Sequence, residues 1–279
     1  MAYTFRLDPQ QEDTPMSDAS PHHAATQGTG PRVAIVTGGA GGIGRAIGAA
    51  LRRAGHQIVV ADRHAEAAQE VAKALDGLAV CVDLAQADSC RNLVSQTVSH
   101  FGRVDILINN AGYQHIAPID EFPDEVWENM LAVMLTAPFL LTKAVWPYMK
   151  AQRWGRIINL GSIHSVRASP FKVGYITAKH GLLGLTRTAA REGGEFGITV
   201  NAILPSYVRT PLVEGQIADQ ARTRQLSPDE VVEKVFLAQA AIKRLIEPDE
   251  IGSLAAYLCS DAAAAITGVD WPIDVGWTA

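Results

Sequence analysis

Ser162, Tyr175 and Lys179 are side chains that together can move a proton on and off an alcohol oxygen. Tyr175 and Lys179 are four residues apart, so on a helix they share one face, and a nearby ammonium favours the phenolate over the phenol. A free phenol, with a pKa of about 10, is a poor base near neutrality. Drawn down by a cation, it can exchange a proton with a substrate hydroxyl, and Ser162 can hold the same oxygen. Taken alone, the pair is as compatible with helix packing as with chemistry, so the surrounding elements must decide.

From Arg32 onward, short Val- and Ile-rich runs alternate with longer helical segments. The runs are Val33 to Thr37, Gln57 to Ala61, Leu78 to Val82, Val104 to Asn109, Arg156 to Leu160 and Thr199 to Leu204, with an edge strand expected at Asp270 to Val275. Between them, Ile43 to Ala54, Ala65 to Leu75, Ala87 to His100, Pro123 to Met149 and Val173 to Glu192 are each long enough for a crossover helix. This rhythm predicts a parallel α/β sheet, with one domain over residues 32–279. The helical stretch from Thr210 to Ala240 interrupts the alternation and reads as a substrate-covering insertion.

Gly38, Gly41, Gly42, Ile43 and Gly44 follow the first strand and open the first helix, where bare backbone can approach a pyrophosphate at a positive helix end. The second strand runs into Asp62, about 20 residues beyond the glycines, where a carboxylate accepts from an adenosine ribose and repels a 2′-phosphate. NAD is therefore expected over NADP, with the adjacent Arg63 blunting the discrimination. Asp83 ends the third strand, facing an adenine ring or capping a helix. Asn109-Asn110-Ala111-Gly112 ends the fourth beside the cofactor crevice.

Composition narrows the function classes. With 279 residues, 48% of them hydrophobic, the chain can bury a large core, and a net charge of −5 without basic blocks gives no electrostatic reason to expect nucleic acid. The three cysteines, Cys81, Cys90 and Cys259, form neither a disulfide set nor a metal pattern, so each reads as a small core residue in a reducing, cytoplasmic setting. Residues 1–31 read as a disordered tail without a signal peptide, and His22–His23 as a solvated pair. No uninterrupted apolar run reaches about 18 residues, so no membrane span is expected.

Together, the glycine pattern, the Asn109 to Gly112 tetrapeptide, the Ser162, Tyr175 and Lys179 spacing and the Asn201 to Thr210 segment with Pro205 resemble the short-chain dehydrogenase/reductase family. The resemblance implies a seven-stranded doubly wound Rossmann-type sheet, a nicotinamide cofactor, a homotetramer, and Tyr175 as acid/base with Lys179 on the nicotinamide ribose. It further implies cofactor contacts at Gly38, Gly41, Gly42, Ile43, Gly44, Asp62, Asp83, Leu84, Asn110, Ala111, Gly112, Tyr175, Lys179, Pro205, Val208 and Thr210. The Ala168 to Lys172 run, Tyr207 to Glu214, Asp219 to Arg224 and the Gly276 to Ala279 terminus resemble the family's bacterial D-3-hydroxybutyrate dehydrogenase branch. That implies NAD-dependent exchange of (R)-3-hydroxybutyrate and acetoacetate, with Gln114, His164, Lys172 and Gln216 on the substrate carboxylate. A short hydroxy acid needs a cationic or amide clamp near the catalytic tyrosine, and Tyr207 and Trp277 can supply its apolar walls or simply pack. One position departs from the family pattern: an asparagine that helps form a helix kink and a water link to the lysine is replaced by Met134, which leaves the outer proton route open. Another short hydroxy acid, a polyol, or a nicotinamide sensor with weak turnover are the competing expectations.

Overall fold

The computed structural model describes residues 31–279, without the side chains at positions 212, 219, 220, 223 and 224. The expected tail lies, Pro31 apart, outside the described residues, as do His22 and His23 and several side chains of the Asp219 to Arg224 run. Seven parallel strands form the sheet: β1 (Val33–Thr37), β2 (Gln57–Asp62), β3 (Leu78–Cys81), β4 (Ile106–Asn109), β5 (Gly155–Leu160), β6 (Ile198–Pro205) and β7 (Asp270–Ile273). Their order is β3-β2-β1-β4-β5-β6-β7. The strand order reverses direction between β1 and β4, and the crevice at such a switch point is where ligands bind in sheets of this kind.

The central strands are buried on both faces, which explains their continuous runs of Val, Ile and Leu. One face is covered by α1 (Gly42–Arg53), α2 (Ala65–Ala74) and α9 (Pro248–Leu258), through Ile47, Leu51, Val71, Ile251 and Leu258. The other carries α3 (Ala87–Phe101), α5 (Ala137–Gln152) and α6 (Val173–Gly193), through Leu93, Leu141, Val145, Met149 and Ala190. A third apolar cluster underlies the cover made by α7 (Pro211–Arg224), α8 (Pro228–Val231) and a π-helical turn at Val232–Phe236.

The helix expected over Pro123 to Met149 is divided into α4 (Asp124–Leu131), a π-helical turn at Ala132–Thr136, and α5. Met134 lies in that turn at 1% exposure, so the helix is distorted there with a thioether in place of the amide. By length and composition the 29-residue helix Asp124–Gln152 could cross a membrane. Instead, it lays Leu141, Val145 and Met149 on the sheet. The cysteines divide: Cys90 and Cys259 are buried, but Cys81 is exposed, contrary to expectation, because β3 is an edge strand whose last residue faces solvent.

A buried polar ladder fixes the strand ends beneath the crevice. Asn109 Nδ2 donates to Asn159 Oδ1 at 2.8 Å, Asn159 Nδ2 to Thr186 Oγ1 at 2.8 Å, and the Thr186 hydroxyl to the Leu182 carbonyl at 2.8 Å. This joins β4 and β5 to α6, the helix that carries Tyr175 and Lys179. Replacing Asn159→Ala strands the buried Asn109 amide and is expected to cost about 2 kcal/mol. The check is urea unfolding: an unchanged midpoint would mean that the ladder does not fix these elements.

Candidate active site

The glycine turn is shaped for something wider than a side chain. Gly38 and Gly42 have φ of +60° and +50°, a region costly for residues with a Cβ. A Cβ on Gly44 would fall 2.2 Å from the Gly38 carbonyl oxygen, whereas one on Gly41 would meet nothing within 4 Å. The turn is therefore closed on its inner side and open above the N-terminus of α1, where no side chain caps the free amides. Those features fit a nucleotide pyrophosphate.

Around this cradle, several predicted cofactor residues brace the backbone. Asn110 donates from Nδ2 to the Thr37 and Gly38 carbonyls at 2.8 and 3.1 Å, and the Asn110 and Ala111 amides donate to the Thr37 hydroxyl. Asp62 accepts from the amides of Ala40 and His64 at 3.2 and 3.1 Å, which places its carboxylate at the rim of the glycine turn. Asp83 accepts from the Ala85 amide at 3.0 Å in a local turn, and the N-cap of α3 is Gln86, so the capping role weighed for Asp83 is not the one it takes. Leu84 buries its side chain in the core against α3, leaving its backbone for any ligand contact. Pro205 ends β6, and Val208 is buried and bridged to Ile246. Thr210 caps α7 with its hydroxyl while its methyl approaches Gly42, so the cover begins against the cradle.

Ser162 opens a short 3-10 turn, Ile163–Ser165. Its oxygen accepts from the His164 amide at 3.2 Å, and its own amide donates to Ser165 Oγ at 3.1 Å. With that acceptor site taken by an amide, the Ser162 hydroxyl proton is left to donate toward Tyr175, a contact that offsets part of the rise that burial imposes on the phenol's pKa. Ser165 was missed by sequence reasoning, although its spacing three residues beyond Ser162 is a capping signal.

Tyr175 and Lys179 share α6, with the Lys179 ammonium 5.6 Å from the centre of the Tyr175 ring. The expected depression of Tyr175 by Lys179 is not what this arrangement gives. Burial pushes the Tyr175 pKa up, and only Ser162 opposes it. Lys179 itself, 4% exposed, is lowered by desolvation to about 8, and its ammonium is turned to the Leu160 carbonyl rather than to the phenol oxygen. Met134 lies close by: a Cβ on Gly112 would be 3.1 Å from the Met134 sulfur and 3.8 Å from the Lys179 nitrogen. A thioether accepts hydrogen bonds weakly, so this neighbour does little to offset the lost hydration.

The four predicted clamp residues form two contacts. Lys172 Nζ donates to His164 Nε2 at 3.3 Å, while His164 Nδ1 bonds the Arg167 carbonyl at 3.4 Å. Desolvation and then the Lys172 charge lower His164 to about 4, so it is a neutral imidazole at working pH. Lys172 is lowered by burial as well, and no carboxylate neutralises it within the clamp. Gln216 Nε2, on α7, donates to Gln114 Oε1 at 3.3 Å, linking the cover to the loop after β4. The His164 ring meets Tyr175 and Trp277 edge-on, with centroids 6.2 and 6.5 Å away. Tyr207 stacks at 4.4 Å on Phe236, a cover residue that no local sequence signal had selected. The assembled site therefore holds one phenol, one hydroxyl donor and one partly buried cation beside a neutral imidazole. This suits a small anion carrying an alcohol or ketone.

Comparison with known proteins gives a concordant picture. The family model described as Enoyl-(Acyl carrier protein) reductase matches residues 38–278. The chain is 42% identical over 255 residues to a D-beta-hydroxybutyrate dehydrogenase of Rhizobium meliloti, covering 89% of this chain and 99% of that protein. It is also 42% identical over 253 residues to an uncharacterized oxidoreductase of Bacillus subtilis, covering 89% and 98%. An acetoacetyl-CoA reductase of Shinella zoogloeoides is 35% identical over 238 residues, covering 85% and 94%.

The buried Lys179 charge has a consequence for stability. Its pKa falls from 10.5 to about 8 on folding, so between those values the unfolded chain binds more protons and stability rises with pH. Below about pH 8 the full penalty is present, worth about 3 kcal/mol. Lys179→Met is expected to raise the urea midpoint at pH 7, with the gain shrinking as pH climbs from 8 toward 10.5. A variant less stable than the parent at pH 7 would contradict this origin.

Proposed function

The chain belongs to the short-chain dehydrogenase/reductase family, and on that premise we propose that it interconverts (R)-3-hydroxybutyrate and acetoacetate with NAD. The observation that carries this reading is the pairing of Lys172 with a neutral His164, directly beside Tyr175. A 3-hydroxy acid carries its carboxylate two carbons from the reacting hydroxyl, and Lys172 offers that anion a charge-assisted bond. His164, held neutral, accepts from Lys172 and orients its ammonium without repelling it. Gln114 and Gln216 exchange one bond with each other and keep further amide capacity for a carboxylate.

A dinucleotide held by its pyrophosphate in the glycine cradle would supply a nicotinamide as hydride acceptor or donor. In oxidation, the Tyr175 oxygen takes the proton of the C3 hydroxyl. The Ser162 hydroxyl donates to the same substrate oxygen as negative charge gathers there. In reduction, Tyr175 returns the proton. Lys179, held one helical turn beyond Tyr175, bonds the Leu160 carbonyl and fixes α6 against the end of β5. Asp62 supports NAD over NADP, because a ribose 2′-phosphate would meet a carboxylate at the rim of the turn. Arg63, which could blunt that preference, donates its Nε to His64.

Met134 beside Lys179 favours a second reading, in which turnover is weak and the protein reports nicotinamide binding. The relative named as an acetoacetyl-CoA reductase keeps other 3-hydroxyacyl substrates in the test. We further propose a cytoplasmic homotetramer, because Phe139 and Tyr148 expose apolar surface on α5.

Three outcomes test these proposals. Purified protein given short 3-hydroxy acids is expected to produce NADH, with (R)-3-hydroxybutyrate the best substrate and NADP a poorer carrier. Absence of NADH formation from about pH 6 to about pH 10 would refute the dehydrogenase reading. Lys172→Ala should lower kcat/KM for hydroxybutyrate about 10- to 100-fold while a neutral alcohol is little affected, and equal losses would disprove the clamp. Light scattering decides the tetramer.

A further inference from the structure

The chain's last residues are tied down more firmly than a terminus requires. Asp274, just beyond β7 and 8% exposed, accepts from the Gly276 amide at 3.0 Å, the Thr278 amide at 2.9 Å and the Thr278 hydroxyl. Its carbonyl accepts from the Trp277 amide at 3.0 Å and the Ser206 hydroxyl at 3.2 Å. Five donors thus converge on one residue.

The next residue pays in backbone strain for its place. Val275 has φ of +55°, a left-handed conformation unfavourable for a β-branched side chain, and Gly276 follows at +76°. The Val275 carbonyl accepts the amides of both Ala241 and Ile242, at 2.9 and 3.0 Å, at the end of the helical cover. Its side chain packs on two apolar clusters, the core between the sheet and α9 and the cluster beneath the cover. A glycine would relieve the strain but leave the two clusters unbridged.

Trp277 then packs on the cover cluster and meets the His164 ring edge-on, and that ring meets Tyr175. Contact therefore runs from the cover through Trp277 and His164 to the proton-transfer site. We infer that Asp274 and Val275 are positioning residues that knot the segment from Asp274 to Thr278, so that Trp277 is held between the helical cover and the substrate clamp. The part of this inference that concerns substrate rests on the proposed hydroxy-acid reading. The coupling of tail to cover does not.

The arrangement predicts a loss in substrate capture rather than in chemistry. Full-length Asp274→Ala should raise KM for 3-hydroxybutyrate about tenfold or more while kcat changes less than about threefold. Amide hydrogen exchange across residues 211–242 should rise at least about tenfold, with exchange in β1 and β5 unchanged. Val275→Gly should show the same KM and exchange effects without loss of thermal stability, since strain and bridge are removed together. Asp274→Asn, which keeps one acceptor oxygen, should fall between parent and Asp274→Ala. Parent-like exchange over 211–242 in folded Asp274→Ala, or a fall in kcat at unchanged KM, overturns the proposal. Should Asp274→Ala not fold, parent-like exchange and KM in Val275→Gly and Asp274→Asn would overturn it equally. If the parent protein does not oxidise hydroxybutyrate, the substrate reading alone fails, and the exchange comparison still decides the coupling.

Discussion

The bond from the buried Lys179 ammonium to the Leu160 carbonyl is the contact on which the site depends. It joins α6 to the end of β5, and thereby sets Tyr175 relative to Ser162, which lies two residues beyond that carbonyl. Burying a cation is expensive, and here burial alone pulls its pKa to about 8. The ladder of Asn109, Asn159 and Thr186 supports the same junction from below. The fold thus accepts a destabilising charge in order to fix the geometry of the reacting oxygen, as sites built for chemistry commonly do.

The same balance recurs in the clamp. Lys172 and His164 sit 3.3 Å apart in a partly buried place, and the cost is limited by leaving the imidazole neutral. A substrate carboxylate would relieve the desolvation of Lys172, so anion binding is favoured by what the unliganded site lacks. Met134 follows the opposite logic: a soft apolar group fills a π turn against Gly112 and offers the nearby ammonium almost nothing. The chemistry available to Lys179 is therefore confined to the Leu160 carbonyl and the cleft side.

Much of this was legible in the chain. The alternation of apolar runs and helical segments located all seven strands: the central ones, buried on both faces, leave Val and Ile runs that pattern alone reveals, and the edge strands β3 and β7 followed from their place in the alternation. The glycine turn was legible because only glycine tolerates its positive φ and close contacts. The expected continuous helix over Pro123 to Met149 was divided by a π turn that has no distinct local signature. Cys81 was misjudged because residue type says nothing about which strand lies at an edge. The role of Phe236 was not legible because its stacking partner is far away in sequence, and Asp274 and Val275, read only as the end of an edge strand, lie beyond β7, which stops at Ile273.

The sequence by itself determined the order of strands and helices, the glycine turn and the family, since each depends on spacings within one or two local segments. The tertiary structure alone decided the electrostatics. Whether Lys179 lowers Tyr175 depends on where its ammonium points and how much water reaches both groups, and burial raises the phenol while the lysine turns to Leu160. It also decided where Asp274, Val275 and Trp277 make their contacts, because these form only when cover, sheet edge and the His164 ring come together in space.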